Sequence, residues 1–301
     1  MINETTQISG LLVNGSIPLS VTVNAATNWI QYVMSAIIAL VSTFGIFLIL
    51  YFPQISATFT SGKLKKLTKI TGKNIVMIKH TQQDLFSASM IDQDCLRKMS
   101  RIMNKMNGQD FDLILHTPGG DIFSSIAVSR LIKQYPGNIR AIIPLYSMSG
   151  GSLLALSCKE LLMTPNACLG PIDPQLGNLF KYGSSKSWNE IVKFKGKKAE
   201  DQTISFAMMG NQYTKSIANH LNLIIDFGLG DKERNNLVKF LTGGDIEHAY
   251  PLTITDLNKF GLKVHTLSNE SFLKSLSKIV SSKGKEGVTY YKIGEKLFSK
   301  D

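Results

Sequence analysis

Two short glycine-bearing turns carry the side chains best suited to nucleophilic chemistry. The first is His116-Thr117-Pro118-Gly119-Gly120-Asp121, and the second is Tyr146-Ser147-Met148-Ser149-Gly150-Gly151-Ser152. Each follows a β-rich run, FDLILHT (111–117) and NIRAIIPL (138–145). In parallel α/β sheets the carboxyl ends of strands are where ligand groups collect. Glycine there lets the backbone approach a substrate, and N–H groups at a helix start hold an anion. A serine on such a turn presents its hydroxyl beside the N–H of the next residue, which puts a nucleophile and an oxyanion hole in one turn. The commoner use of Gly-Gly after a strand is a plain tight turn, and spacing alone leaves both readings open. Neither turn is a phosphate loop, because the G-x-x-x-x-G-K-S/T pattern is absent.

The surrounding sequence supplies a scaffold for these turns. NIVMIKH (74–80) is a short β-branched run, and ELLMT (160–164) is another. Between them Leu96, Met99, Ile102, Met103 and Met106 recur at helical spacing, and residues 122–134 and 152–157 also read as helices. Strands alternating with helices predict a parallel sheet with helices packed on it. Further on, 202–226 and 231–241 read as helices, and SSKGKEG (281–287) as a solvated segment.

Composition narrows the class. The chain has 301 residues, 44% hydrophobic and 18% charged. That is too apolar for a disordered protein, and long enough to build a core without metal or disulfide staples. Cys95, Cys158 and Cys168 show no C-x-x-C spacing, which argues against a disulfide framework and a structural zinc site. The net charge of +11 is unevenly placed. Glu4 is the only charged residue before Lys63, after which Lys63, Lys65, Lys66, Lys69, Lys73 and Lys79 arrive with no acid among them. A nucleic-acid groove spreads Arg and aromatic residues across a folded face. A lysine cluster directly after an apolar run reads instead as a membrane flank, and no nucleic-acid partner is expected.

That apolar run extends from Ile30 to Phe52, with no acid or base beyond two tyrosines. As a helix it is about 35 Å long, against a hydrocarbon core of about 30 Å. Trp29, Tyr32 and Tyr51 sit near its ends, where amphipathic rings prefer the interface, and Pro53 is expected to stop it. A buried core helix of this length would carry some charge, and a signal peptide would carry its positive charge before the run. The positive-inside rule puts residues 1–28 outside and the rest in the cytoplasm. The expected division is an outer segment 1–28, a transmembrane helix 29–53, a basic juxtamembrane linker 54–73, a catalytic domain 74–270 and a lysine-rich tail 271–301. Lysines 63–73 are expected to touch anionic headgroups.

The stretch LILHTPGGDI…IIPLYSMSGGSLLALSCKELLMTPNACLGPIDPQLG (113–177) resembles the serine dehydrogenase proteinase family of the Clp/crotonase superfold. That superfold also holds the Clp protease proteolytic subunit and signal peptide peptidase A. The likeness extends back through IVMIKHTQQ (75–83) and forward to LTGGDIEHAYPLTITDLNKFGLKV (241–264). It implies an α/β fold with a repeated β-β-α core and a parallel sheet. It also implies a serine peptidase acting on peptide or protein without metal, nucleotide or other cofactor, and assembly as a homo-oligomer.

The resemblance assigns roles by position. Ser149 aligns with the nucleophile, and Gly150 supplies one oxyanion N–H. Gly119 and Gly120 complete the hole and guide an extended peptide by strand addition. The histidine of Clp-type peptidases falls here in Asp173-Pro174-Gln175, where there is none. Membrane-bound relatives use a lysine just before a long helix. Lys195 in VKFKGKK (192–198) aligns best, with Lys193, Lys197 and Lys198 as neighbours. A lysine base must be held neutral, well below its free pKa of about 10.4; the plain reading of this run is an exposed basic loop. His248 aligns with a histidine of the family pattern and would orient or replace the lysine, or serve structurally. Asp173 is expected to fix its turn, Asp121 to cap the following helix, and His116 to pack at a strand end. The other readings are a catalytically inactive Clp-like membrane scaffold or partner-binding module, and a crotonase-type thioester enzyme, against which a serine in the Ser-x-Gly turn argues.

Overall fold

A computed structural model describes residues 19–81, 89–178, 181–281 and 287–294, excluding the side chains of 19–28 and 48–61. The segments 1–18 and 282–286 and the end of the lysine tail, all addressed above, lie outside the described residues. In chain order the elements are α1 (Leu19–Thr71), β1 (Asn74–Lys79), α2 (Gln93–Met106), β2 (Phe111–His116), α3 (Ile122–Gln134), β3 (Ile139–Ile143), β4 (Tyr146–Ser147) and α4 (Gly150–Leu156). They continue with β5 (Glu160–Met163), β6 (Cys168–Leu169), β7 (Gln175–Gly177), β8 (Tyr182–Ser184), α5 (Ser185–Lys195), α6 (Asp201–Ile224) and α7 (Asp231–Thr242). The last are α8 (Ile254–Lys259), β9 (Val264–Thr266), α9 (Glu270–Val280) and β10 (Gly287–Tyr291). Two compact units contain them, residues 1–55 and 56–301.

In the first unit, Trp29–Phe47 is a 19-residue helical stretch of mean hydropathy 1.9, none of it buried. In the second, six strands form one sheet in the order β10-β1-β2-β3-β5-β9. All neighbours are parallel except β10, which runs antiparallel to β1. Every residue of β1 and β2 is buried, as expected of strands in a parallel sheet with both faces covered. Val76, Ile78, Leu113 and Leu115 face one core with Met99, Val128 and Leu153 from α2, α3 and α4. Ile75, Met77 and Ile114 face the other, with Leu64, Leu67, Phe272 and Leu276 from α1 and α9. Asp112, fully buried on β2, is held by Arg140 on the paired residue of β3 through two bonds of 2.7 and 3.0 Å.

Three expectations are corrected. Pro53 does not end its helix: α1 continues to Thr71. A proline inside a helix loses one bond to the carbonyl four residues back, at about 3 kcal/mol, and the helix resumes because Leu64 and Leu67 are both fully buried in the core. Residues 54–71 are therefore helix, not linker. The region after 270 is not simply a lysine tail, since α9 buries Phe272, Leu276 and Ile279 and β10 pairs with β1. The run 192–198 does precede a long helix, α6, but it is not a loop: it is the last turn of α5 followed by a 3-10 turn, Gly196–Lys198.

Candidate active site

The two glycine turns meet beyond the carboxyl ends of β2 and β3. Thr117 bridges Ser147 in parallel fashion, and the Met148 amide donates to the Thr117 carbonyl at 2.9 Å. Ser149 then takes φ 49° and ψ −117°. A non-glycine residue at such a position costs on the order of 1–3 kcal/mol and persists only where its neighbours fix it. They do so here. Gly151 N–H donates to the Met148 carbonyl at 2.7 Å, and Leu153 N–H to the Ser149 carbonyl at 3.1 Å. The Ser152 hydroxyl donates to the Ser147 carbonyl at 2.7 Å and accepts from Gly170 N–H at 2.8 Å.

The glycines are close-approach residues. A Cβ on Gly120 would lie 2.0 Å from the Ile91 carbonyl oxygen, and one on Gly150 would lie 2.2 Å from Ser125 Oγ. Gly119 has φ 117°, and a Cβ there would sit 2.8 Å from Ser149 Cβ. Ile91 N–H donates to the Gly119 carbonyl and Asp121 N–H to the Ile91 carbonyl, both at 2.9 Å. Gly120, between these two, therefore turns its own N–H and C=O to the opposite side, as the intervening residue of a ladder must. Neither the Gly120 nor the Gly150 amide has a partner among the described residues. Asp121 caps α3, accepting from Ser124 N–H at 2.7 Å.

A histidine and an aspartate complete the cleft. His248 and Asp173 line the same cavity as Ser149, Gly120 and Gly150. His248 Nδ1 lies 2.7 Å from Asp173 Oδ1, and Gln175 donates to Asp173 Oδ2 at 2.6 Å. A carboxylate only accepts, so Nδ1 carries the proton and Nε2 is left as the basic nitrogen. Asp173 is 3% exposed, whereas the His248 side chain is 32% exposed. Its position in the sequence suggested a turn-fixing residue; the structure adds that its carboxylate orients an imidazole 75 residues away. The available signal was Pro171-Ile-Asp173-Pro174, an acid held between two prolines.

The lysines go elsewhere. Lys193, Lys195, Lys197 and Lys198 are all exposed and line neither cavity that reaches Ser149. Lys195 Nζ lies 3.6 Å from a Glu200 oxygen.

Behind the first turn stand two neutral histidines. His80 Nδ1 lies 3.0 Å from Thr117 Oγ1, which accepts from Gly119 N–H at 3.2 Å. Burial pushes the His80 pKa down to about 4. His116 packs against the Tyr146 ring at 4.2 Å, and burial, then Lys79, lowers it to about 4 as well.

The family described as ClpP-like SDH-type serine proteinases matches this chain over residues 29–290. The chain belongs to that family. As an SDH-type serine proteinase it has the ClpP-like mixed α/β fold, with the mostly parallel sheet described above. Two proteins of Methanocaldococcus jannaschii are similar to it. Uncharacterized protein MJ0137 is 29% identical over 209 residues, 67% of this chain and 72% of its own length. Uncharacterized protein MJ1495 is 29% identical over 234 residues, 73% of this chain and 78% of its own. Among solved structures, ClpP1 from Listeria monocytogenes matches at a TM-score of 0.42 and 14% identity, covering 69% of this chain and 98% of that one. The 1510-N membrane-bound stomatin-specific protease matches at 0.43 and 17%, covering 67% and 84%.

Proposed function

We propose that this proteinase-family chain is a membrane-anchored serine peptidase in which Ser149 is the nucleophile, His248 the general base and Asp173 its orienting partner. The observation that carries the reading is the Asp173–His248 pair lining the same cleft as the strained Ser149 turn. Ser149 Oγ attacks the scissile carbonyl while its proton passes to His248 Nε2. The Gly120 and Gly150 amides receive the oxyanion, at about 3 kcal/mol per donor. The imidazolium then returns the proton to the leaving amine as the C–N bond breaks, and water hydrolyses the acyl-serine by the same base. A groove of about 810 Å³ runs past Ser149, bordered by Met90, Pro118, Phe123 and Tyr213. The outward N–H and C=O of Gly120 offer an extended peptide a strand to pair with. The exposed apolar helix Trp29–Phe47 supports the anchor, and Lys66 and Lys69, both exposed about five turns further along α1, are the charges proposed to reach anionic headgroups. Copies of the chain are expected to assemble with one another.

Labelling the full-length protein with a fluorophosphonate tests the reading. Wild type incorporates the probe at Ser149 and Ser149→Ala does not. A folded wild type that stays unlabelled, or equal labelling of both proteins, overturns it.

A further inference from the structure

The cavity beside Ser149 is small, about 90 Å³. Ile122, Ile126, Leu153, Ile172 and Ile217 give it apolar walls. Ser125 also lines it, and that side chain is 2% exposed with an Oγ that has no hydrogen-bond partner among the described residues. A helical serine ordinarily bonds the carbonyl four residues back. Here that carbonyl, of Asp121, takes the Ser125 N–H at 3.0 Å and the hydroxyl goes elsewhere, against Gly150. Other buried hydroxyls lack partners, Ser124 and Ser147 among them, but Ser125 is the one that lines this cavity.

We propose that this cavity receives the side chain on the acyl side of the scissile bond, that it selects uncharged side chains of alanine or serine size, and that Ser125 sets the choice. The proposal rests on Ser149 being the nucleophile. Three observations carry it. First, an apolar cavity of about 150 Å³ holds benzene, so 90 Å³ disfavours a phenyl ring unless Ile122 and Ile126, the walls shared with the larger groove, move aside. Second, the one acid lining the cavity, Asp173, has both oxygens engaged by His248 and Gln175. A lysine or arginine side chain would bury its charge among isoleucines, which is costly without a partner. Third, a buried hydroxyl left unpaired is unfavourable, and a serine-sized side chain in the cavity supplies the missing partner where alanine leaves the site merely filled.

The test uses full-length protein and a series of peptidyl diphenyl phosphonates that differ only in that side chain. The readout is the second-order rate of Ser149 modification. Alanine and serine probes are expected to react about 100-fold faster than phenylalanine and lysine probes, the order of selectivity an apolar wall gives. Ser125→Ala should lower the serine-to-alanine ratio about fivefold. Leu153→Ala should open the cavity and raise the leucine and phenylalanine rates. A flat series, or a preference for phenylalanine with Ser149 still modified, overturns the selectivity and leaves the nucleophile standing. Failure of every probe to modify Ser149 in folded protein overturns both.

Discussion

At the residue scale the decisive feature is a division of labour between two candidate bases. Lys195 is exposed and paired with Glu200. It lines neither cavity that reaches Ser149, so it is not placed to take the serine proton. His248 instead lines the cleft with Ser149 and has one ring nitrogen engaged by a carboxylate. Its orientation comes from Asp173, a buried carboxylate fixed in turn by Gln175. A group that acts through an oriented partner shows characteristic non-additivity. Steady-state assays on a cleaved peptide should therefore show His248→Ala and Asp173→Asn each lowering kcat/KM by about 100-fold or more. The double variant should fall little further, while Lys195→Ala stays within about twofold of wild type. A Lys195→Ala loss as large as that of His248→Ala would return the lysine to the site.

Element by element, the sheet was open to reading and the base was not. Strands β1 and β2 are buried on both faces, so each carries an apolar centre, IVMI and LIL, that stands out in the sequence. The turns were visible because glycine marks close backbone approach, which the contacts at Gly120 and Gly150 bear out as geometry. The Asp173–His248 pair spans 75 residues and follows no helical or strand period, so no local pattern announces it. Strand β10 is hidden for another reason: VTYY (288–291) is short and flanked by Lys285 and Lys292, so charge masks its β-branched and aromatic content. The ends of β1 and β2 also carry a pH dependence. His80 and His116 are depressed to about 4 in the folded chain, against about 6.5 when unfolded. Between these values the unfolded chain binds more protons, so stability rises with pH. The loss on acidification begins near pH 6.5 and is complete near pH 4, on the order of 3 kcal/mol for each histidine. Urea unfolding from pH 7.5 to 4.5 should show that decline, and His80→Gln should remove about half of it.

For the molecule as a whole, the question is where the apolar helix resides. Trp29, Tyr32, Ile38, Leu40 and Phe44 are each more than half exposed. A water-facing stripe of that kind is what a soluble protein avoids and a bilayer accommodates. The 19 residues of Trp29–Phe47 span about 28 Å, near the hydrocarbon thickness. The first charges on the C-terminal side are lysines, and the N-terminal side offers only Glu4. Lysine bias on one flank supports the proposed orientation, with the Ser149 cleft on the cytoplasmic side. Full-length protein should sediment with membranes, resist alkaline carbonate and dissolve in detergent. Two arginines at Ile38 and Leu40 would add about 5–7 kcal/mol to insertion and should release it. In sealed cells an added protease should leave the segment around Lys283 intact until the membrane is opened. Cleavage there from outside, with the cells still sealed, would put the lysine flank and the catalytic cleft on the opposite face.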